Sequence, residues 1–300
     1  MSQNDLTLLY ASQGQSLWLD NLSRELLNEG QLAELIARFG IRGLTSNPSI
    51  FKKAIVGSPY YTADIAALKE EYDDIESVYE HLVLSDIQQA CDLLRPIWDE
   101  SAGMDGWVSW EESPRIAHNA AATVAAGSRL KALADRPNLL IKVPATDEGI
   151  KAFEQLIGLG ISVNVTLMFS LAQVKAVFAA YLRGLKALKT RGGELHEVRA
   201  VASLFMSRVD TLVDQKLNEL GGEQALSLRG KAALALGGMA YQHYKAVFES
   251  SEFAELAKLG ARSQYLLWAS TGTKNAAYSD VLYVENLIAP NTCLLYTSDA

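Results

Sequence analysis

Residues 138–146, with the sequence NLLIKVPAT, form a short apolar run that contains a single lysine, Lys142. A second run of the same kind follows at residues 162–169, with the sequence SVNVTLMF. Both runs are nearly continuous rather than alternating, which is typical of strands that are covered on both faces in a parallel sheet. The two segments therefore predict an α/β fold with a parallel sheet.

Outward from these two segments, about seven β-favouring runs alternate with long amphipathic segments. Residues 171–188 are a predicted helix, and Ser170 followed by Gln173 resembles a capping box at its start. The predicted strands are residues 16–20, 43–47, 107–111, 139–145, 162–169, 200–206 and 264–270.

Two architectures fit this alternation, a closed (β/α)8 barrel and an open doubly wound sheet. A barrel takes about 250 residues, and the chain has 300. An open sheet usually carries a glycine-rich first turn, and neither G-x-G-x-x-G nor G-x-x-x-x-G-K-[ST] follows any of the runs. A (β/α)8 TIM barrel is the preferred prediction, although periodicity alone does not separate the two. The chain shows no linker or repeat, so one domain is predicted.

Composition argues against several functional classes. A net charge of -8 and a pI near 5.1 oppose nucleic-acid binding, which needs clustered Lys and Arg. The apolar runs are far shorter than a membrane span, and no basic segment precedes an apolar core at the start of the chain. The isolated Cys91 and Cys293 fit a reducing cytoplasm. The four histidines share no i, i+4 spacing, so no metal is expected.

Lys142 is the first candidate for chemistry. Burial disfavours a charged lysine, and a neutral amine can attack a carbonyl carbon. The alternative is a lysine whose stem lines the core while its ammonium group reaches solvent at the strand end. Position alone leaves both readings open.

Polar residues at other strand ends favour the functional reading, because the carboxyl ends of barrel strands meet at one pocket. These residues are Asp20, Asn47, Glu111, Asn164, Thr166 and Ser203. Two carboxylates beside a lysine suit an aldol-type cleavage, which needs proton transfer. As alternatives, Asp20 caps the helix that begins near Leu22, and Glu111 is a surface residue beside Glu112.

Cations near two further strand ends suit a phosphate group. Arg208 follows an apolar strand, and Lys274 lies with Ser270 in the segment STGTKN, whose glycine and hydroxyl groups suit an anion. The alternative for both cations is ordinary surface charge.

An ordered series of segments resembles the transaldolase family, in its longer bacterial form, from about Asp20 to about Thr292. The segments are LWLDNLSREL, GLTSNPSIF, NLLIKVPAT, GISVNVTLMFSLAQ, VASLFMSRVDTLVD, LRGKAA and LWASTGTKN. The resemblance implies a class I aldolase-like (β/α)8 barrel that transfers a dihydroxyacetone unit between sugar phosphates in the cytoplasmic pentose phosphate pathway, without metal or organic cofactor. It leaves the oligomeric state open, and a homodimer is one option.

The resemblance also implies a role for each candidate. Lys142 would form the Schiff base, Asp20 would handle the donor's hydroxyl proton, and Glu111 would activate water that Thr166 helps to hold. The substrate-binding residues would be Asn47, Asn164 and Ser203 for the dihydroxyacetone hydroxyls, and Arg208, Ser270 and Lys274 for phosphate.

The sequence departs from the family pattern in two places. Glu112 stands where the family usually has an apolar residue, and strand alternation should turn it away from the pocket. Residues 293–300 (CLLYTSDA) bear no likeness to the family, so we expect a barrel at residues 1–292 that lacks its eighth strand and closing helices. Such a barrel would expose two strand edges and fold poorly, unless residues 294–297 supply a substitute strand.

Two functional alternatives therefore remain beside the transaldolase. One is a fructose-6-phosphate-type aldolase on the same scaffold, which releases free dihydroxyacetone. The other is a truncated fragment that binds sugar phosphates through its cations without turning them over.

Overall fold

A closed barrel of parallel strands dominates the protein. The computed structural model describes residues 5–296, apart from the side chains of residues 5–7. Each strand pairs in parallel with the next, and the last pairs with the first, which confirms the predicted (β/α)8 barrel. The strands of the described range are β1 Gln15–Asp20, β2 Ile41–Thr45, β3 Trp107–Glu111, β4 Leu139–Pro144, β5 Val163–Met168, β6 Ala200–Phe205, β7 Tyr265–Ala269 and β8 Thr292–Tyr296.

Helices surround the barrel and fill the connections between its strands. The predicted helix after Ser170 begins at Leu171, where the Ser170 hydroxyl accepts a hydrogen bond from the Gln173 amide at 3.2 Å. The α-helices are α1 Asp5–Gln13, α2 Arg24–Asn28, α3 Gln31–Phe39, α4 Pro48–Ile55, α5 Thr62–Glu71, α6 Ile75–Glu100, α7 Ala120–Ala134, α8 Asp147–Gly158, α9 Leu171–Thr190, α10 Ser207–Leu220, α11 Glu223–Leu226, α12 Ala232–Phe248, α13 Ser251–Ala257 and α14 Leu282–Asn286.

The expectation that the barrel lacks an eighth strand is wrong. All five residues of β8 pair with β1, and its first three pair with β7. Cys293, Leu294 and Leu295 are buried, so this apolar stretch fills the place of a strand whatever its likeness to the family. The edges of β1 and β7 are therefore covered, and the reason to expect poor folding disappears.

The substitute strand suggested for residues 294–297 ends at Thr297, which lies outside the described residues. The absence of closing helices and the domain boundary between residues 292 and 293 stay predictions.

The barrel interior is packed up to the level of the candidate residues. Alternate strand residues point inward, and Trp18, Trp107 and Leu140 belong to one buried cluster there. Gly43 on β2 makes room for Trp18, because a Cβ atom at Gly43 would lie 2.3 Å from the indole ring. Lys142 follows Leu140 by two positions on the same face of β4, and its side chain therefore points into the barrel above this apolar layer.

Candidate active site

The carboxyl end of the barrel holds a pocket of about 140 Å³, which we call the barrel pocket. Eight of the ten candidate residues line it, namely Asp20, Asn47, Lys142, Thr166, Ser203, Arg208, Ser270 and Lys274. Phe205 and Gly272, which sequence analysis did not select, also line it. The structure thus brings together candidate residues from β1, β4, β5 and β6 and from the segments that follow β2, β6 and β7.

Lys142 lies at the base of the barrel pocket and is 7% exposed. Its Nζ atom is 3.0 Å from Glu111 Oε2 and donates a hydrogen bond of 3.0 Å to the Ser46 carbonyl oxygen. Glu111 is the register neighbour of Lys142 on β3. The alternatives of a lysine whose ammonium group reaches solvent and of a surface glutamate are therefore wrong, since the two side chains form a largely buried ion pair.

Asn164 does not line the barrel pocket, but a hydrogen-bonded chain connects it to the pocket wall. The Ser203 hydroxyl donates to Asn164 Oδ1 at 2.7 Å, and Asn164 Nδ2 donates to the Ser109 hydroxyl at 3.1 Å. Asn164 is fully buried and is the register neighbour of Lys142 on β5. This chain fixes the orientation of the Asn164 amide beside the lysine.

Two residues that sequence analysis did not select support this arrangement. Ser109 accepts from Asn164, and its carbonyl oxygen accepts a hydrogen bond of 3.0 Å from the Ser46 hydroxyl. The Ser46 carbonyl oxygen in turn accepts the hydrogen bond from Lys142 Nζ. Period-two alternation could have identified Ser109, which lies two positions before Glu111 on β3. A main-chain oxygen such as that of Ser46 has no sequence signal.

Asn47 and Asp20 stand at the ends of neighbouring strands. Asn47 caps α4, where its Oδ1 atom accepts from the amides of Ser49 and Ile50, both at 3.0 Å. Its amide group is thereby held at the pocket wall. The alternative role of Asp20 as a helix cap is wrong, because α2 begins at Arg24 and Ser23 caps it.

The candidate phosphate residues surround the start of α10. Arg208 lies in its first turn, and Lys274 lies in the loop after β7; both side chains are exposed and line the barrel pocket. The Ser207 and Ser270 hydroxyls are 2.8 Å apart, and the Ser207 amide donates to the Ser270 carbonyl oxygen. A helix amino terminus beside two cations is a favourable environment for an anion.

Glu112 turns away from the barrel pocket, as strand alternation predicts. It is 2% exposed, and its Oε1 atom accepts a hydrogen bond of 3.1 Å from the Thr123 hydroxyl on α7. Burial raises the pKa of Glu112 from an ordinary value of 4.5 to about 7, and the negative charge of Glu111 acts in the same direction. An ionised carboxylate at this buried position lowers the stability of the folded protein, an effect that an apolar residue would avoid.

Residues 5–296 contain no cluster of three His, Cys, Asp or Glu side chains that could bind a metal ion. No helix in this part of the chain is long and apolar enough to cross a membrane.

A buried lysine amine beside a carboxylate, at the carboxyl end of barrel strands, is typical of barrel enzymes that form a Schiff base with a carbonyl substrate. A family model described as transaldolase/fructose-6-phosphate aldolase matches residues 17–295. The chain belongs to this family.

Named relatives agree with the family model. A transaldolase of Thiobacillus denitrificans is 56% identical over 279 residues, which are 93% of this chain and 78% of that protein. A protein named transaldolase 2 of Streptomyces coelicolor is 48% identical, with 94% of this chain and 76% of the relative covered. A transaldolase of Mycolicibacterium smegmatis is 46% identical, with 97% and 79% covered.

Proposed function

We propose that this protein is a transaldolase that transfers a dihydroxyacetone unit from a ketose phosphate to an aldose phosphate through a Schiff base on Lys142. The observation that carries the proposal is the ion pair between Lys142 Nζ and Glu111 Oε2, which are 3.0 Å apart beside a pocket with cations at its rim. The high identity to named transaldolases over most of the chain supports the same reaction.

The first step joins the lysine amine to the ketone carbon of the donor. Glu111 takes a proton from the Lys142 ammonium group, so that the neutral amine can attack. The resulting carbinolamine loses its hydroxyl group together with a proton from Glu111, which leaves a C=N bond and one water molecule. Thr166, buried on β5 and lining the pocket, is proposed to hold this water.

The second step breaks a carbon–carbon bond. The Asp20 carboxylate accepts the proton of the donor's hydroxyl, the bond between the third and fourth carbons breaks, and an aldose phosphate leaves. The electron pair of that bond passes into the Schiff base, which becomes an enamine. The enamine then attacks the aldehyde carbon of an acceptor aldose phosphate, and Asp20 returns its proton to the new hydroxyl. One water hydrolyses the new C=N bond, which releases the product ketose phosphate and regenerates the Lys142 amine.

The other pocket residues position the substrates. The amides of Asn47 and Asn164 and the hydroxyl of Ser203 are proposed to bind the dihydroxyacetone hydroxyl groups. Arg208, Lys274 and Ser270 are proposed to bind the phosphate group of donor and acceptor, since guanidinium and ammonium groups at a helix amino terminus attract anions.

Transfer assays test this function against its alternatives. With sedoheptulose 7-phosphate and glyceraldehyde 3-phosphate, we expect erythrose 4-phosphate and fructose 6-phosphate to form, and Lys142→Arg should abolish the reaction. Release of free dihydroxyacetone in the absence of an acceptor would indicate the fructose-6-phosphate-type aldolase instead. Sugar-phosphate binding without turnover would indicate the inactive fragment. A cytoplasmic location in the pentose phosphate pathway is part of the proposal, and a homodimer stays a prediction.

A further inference from the structure

Two hydrogen bonds from tyrosine hydroxyls to carboxylates join the segment after β7 to helix α10. The Tyr278 hydroxyl donates to Asp214 Oδ2 at 2.5 Å, and the Tyr283 hydroxyl donates to Asp210 Oδ2 at 2.7 Å. Asp210 and Asp214 lie one turn apart on α10, so they share a face of the helix, and both are buried. We call these four residues the α10 clamp.

Each carboxylate of the α10 clamp is held from a second side. Asp214 Oδ1 accepts from the Gly230 amide at 3.0 Å, and Asp210 Oδ1 accepts from the Ala233 amide at 2.8 Å. The Tyr278 ring packs against Gly230, where a Cβ atom would lie 2.9 Å from the ring. Burial and the adjacent Asp214 carboxylate raise the pKa of Tyr278 to about 12, so its hydroxyl group remains a donor. The clamp therefore has one defined geometry.

Lys274 lies between two anchors of the segment after β7. Three residues before it, the Thr271 hydroxyl donates to the Leu295 carbonyl oxygen on β8 at 2.6 Å, and four residues after it Tyr278 contacts α10. Residues 270–281 contain no helix or strand. The Lys274 side chain is exposed, and no hydrogen bond or ion pair with another residue of the described range 5–296 holds its ammonium group. Its location therefore depends on the two anchors.

Lys274 also lies between two cavities. Within residues 5–296 it is the one residue that lines both the barrel pocket and a second cavity of about 620 Å³, whose walls include Asp210, Asp214 and Glu219. A lysine side chain has four rotatable bonds, so its ammonium group can turn toward either space. Only an ammonium group that faces the barrel pocket can bind a substrate phosphate there.

The α10 clamp relates Lys274 to the second candidate phosphate cation. Arg208 is on the first turn of α10, two residues before Asp210, and it lines the barrel pocket with Lys274. Both cations are thereby referred to the same helix. A phosphate group that is bound by two cations requires a defined spacing between them, and groups that are fixed in advance bind with a smaller loss of entropy.

We propose that the α10 clamp holds Lys274 on the barrel-pocket side, at the spacing from Arg208 that a substrate phosphate requires. Tyr278 and Asp214 are then positioning residues for phosphate recognition, which act through Lys274 and do not touch the substrate. This inference rests on the proposed transaldolase function and adds to it a determinant of selectivity for phosphorylated sugars.

Tyr278→Phe is the first test, because it removes the hydroxyl group and keeps the ring against Gly230. We expect KM for fructose 6-phosphate to rise about fivefold, kcat to change by less than about twofold, and kcat/KM for unphosphorylated fructose to stay the same. Asp214→Asn retains polar atoms for both of its partners and should raise KM for fructose 6-phosphate by only about twofold.

A double-mutant cycle with Lys274→Met separates positioning from a general structural role. Lys274→Met should itself raise KM for fructose 6-phosphate about tenfold. Adding Tyr278→Phe should then raise it by less than about twofold, because the positioning residue has lost the group through which it acts. Tyr181→Phe on α9 is the matched control: it removes a buried hydroxyl that donates to the Arg262 carbonyl oxygen at 2.8 Å, and it should leave KM for fructose 6-phosphate unchanged.

Three results overturn the proposal. The first is an unchanged KM for fructose 6-phosphate in Tyr278→Phe. The second is an equal loss of kcat/KM toward fructose 6-phosphate and fructose, and the third is a double variant in which the two effects multiply; either would leave the α10 clamp with a structural role alone. Transfer by the parent protein is measured first, and if it fails, the proposed function fails and this inference fails with it.

Discussion

Replacing Glu112 with glutamine should stabilise the protein above neutral pH and leave its stability unchanged in acid. The side chain is 2% exposed, and burial raises its pKa from an ordinary 4.5 to about 7. The folded protein therefore binds this proton more tightly than the unfolded chain does. The resulting contribution of Glu112 to the free energy of unfolding is fully present below pH 4.5 and is lost as the pH rises through about 7.

The structure sets the size of this effect. A shift from 4.5 to about 7 corresponds to about 3 kcal/mol at pH 8, since one pKa unit equals about 1.4 kcal/mol. Charged groups near Glu112 include Glu111 at the end of β3, Glu80 on α6 and Arg129 on α7. Glutamine keeps the shape of the side chain and can still accept the hydrogen bond from Thr123, but it does not ionise.

Urea unfolding at pH 5 and at pH 8 measures this difference. We expect Glu112→Gln to exceed the parent protein by less than about 1 kcal/mol at pH 5, where the unfolded chain has begun to ionise, and by about 3 kcal/mol at pH 8. Glu70→Gln, at an exposed position on α5, is the matched control and should show no such difference. An equal effect of Glu112→Gln at both pH values would refute the reasoning.

Three further substitutions test the packing and polar contacts of the barrel. Ser109→Ala leaves a buried amide without its acceptor at a cost of about 1–3 kcal/mol, so kcat/KM for transfer should fall at least about fivefold. Arg208→Leu should raise KM for phosphorylated ketose donors about 30-fold, with little effect on KM for unphosphorylated ketoses that donate the same dihydroxyacetone unit. Gly43→Ala should lower the free energy of unfolding by about 1–3 kcal/mol because its Cβ would overlap Trp18, whereas Gly238→Ala on α12, with nothing within 4 Å, should not.

Sequence reasoning predicted the strands well because their apolar runs are short, continuous and separated by clear helices. The positions of Lys142 and Glu111 followed from the same pattern, since inward-facing residues at the carboxyl ends of barrel strands converge. The role of Ser46 was not predictable in this way, because it contacts Lys142 through a main-chain oxygen.

The eighth strand shows a different limit of prediction from the sequence. Thr292–Tyr296 pairs with the preceding strand β7 and with β1, which lies at the other end of the sequence, and comparison with the family pattern gave no indication of this strand. Its apolar character was visible, but closure of a barrel depends on long-range pairing. The groove lined by Val56, Ile75 and Glu111 was equally hidden, because its walls come from β3, α4, α6 and the segments that follow β3 and α4, which meet only in the folded chain.

Borohydride reduction in the presence of fructose 6-phosphate is the most direct test of the role of Lys142. We expect a single reduced dihydroxyacetone adduct, which peptide mapping by mass spectrometry should locate on Lys142, and no adduct with Lys142→Arg. An adduct on a different lysine, or none in protein that binds fructose 6-phosphate, would contradict the assignment of Lys142 as the Schiff-base residue.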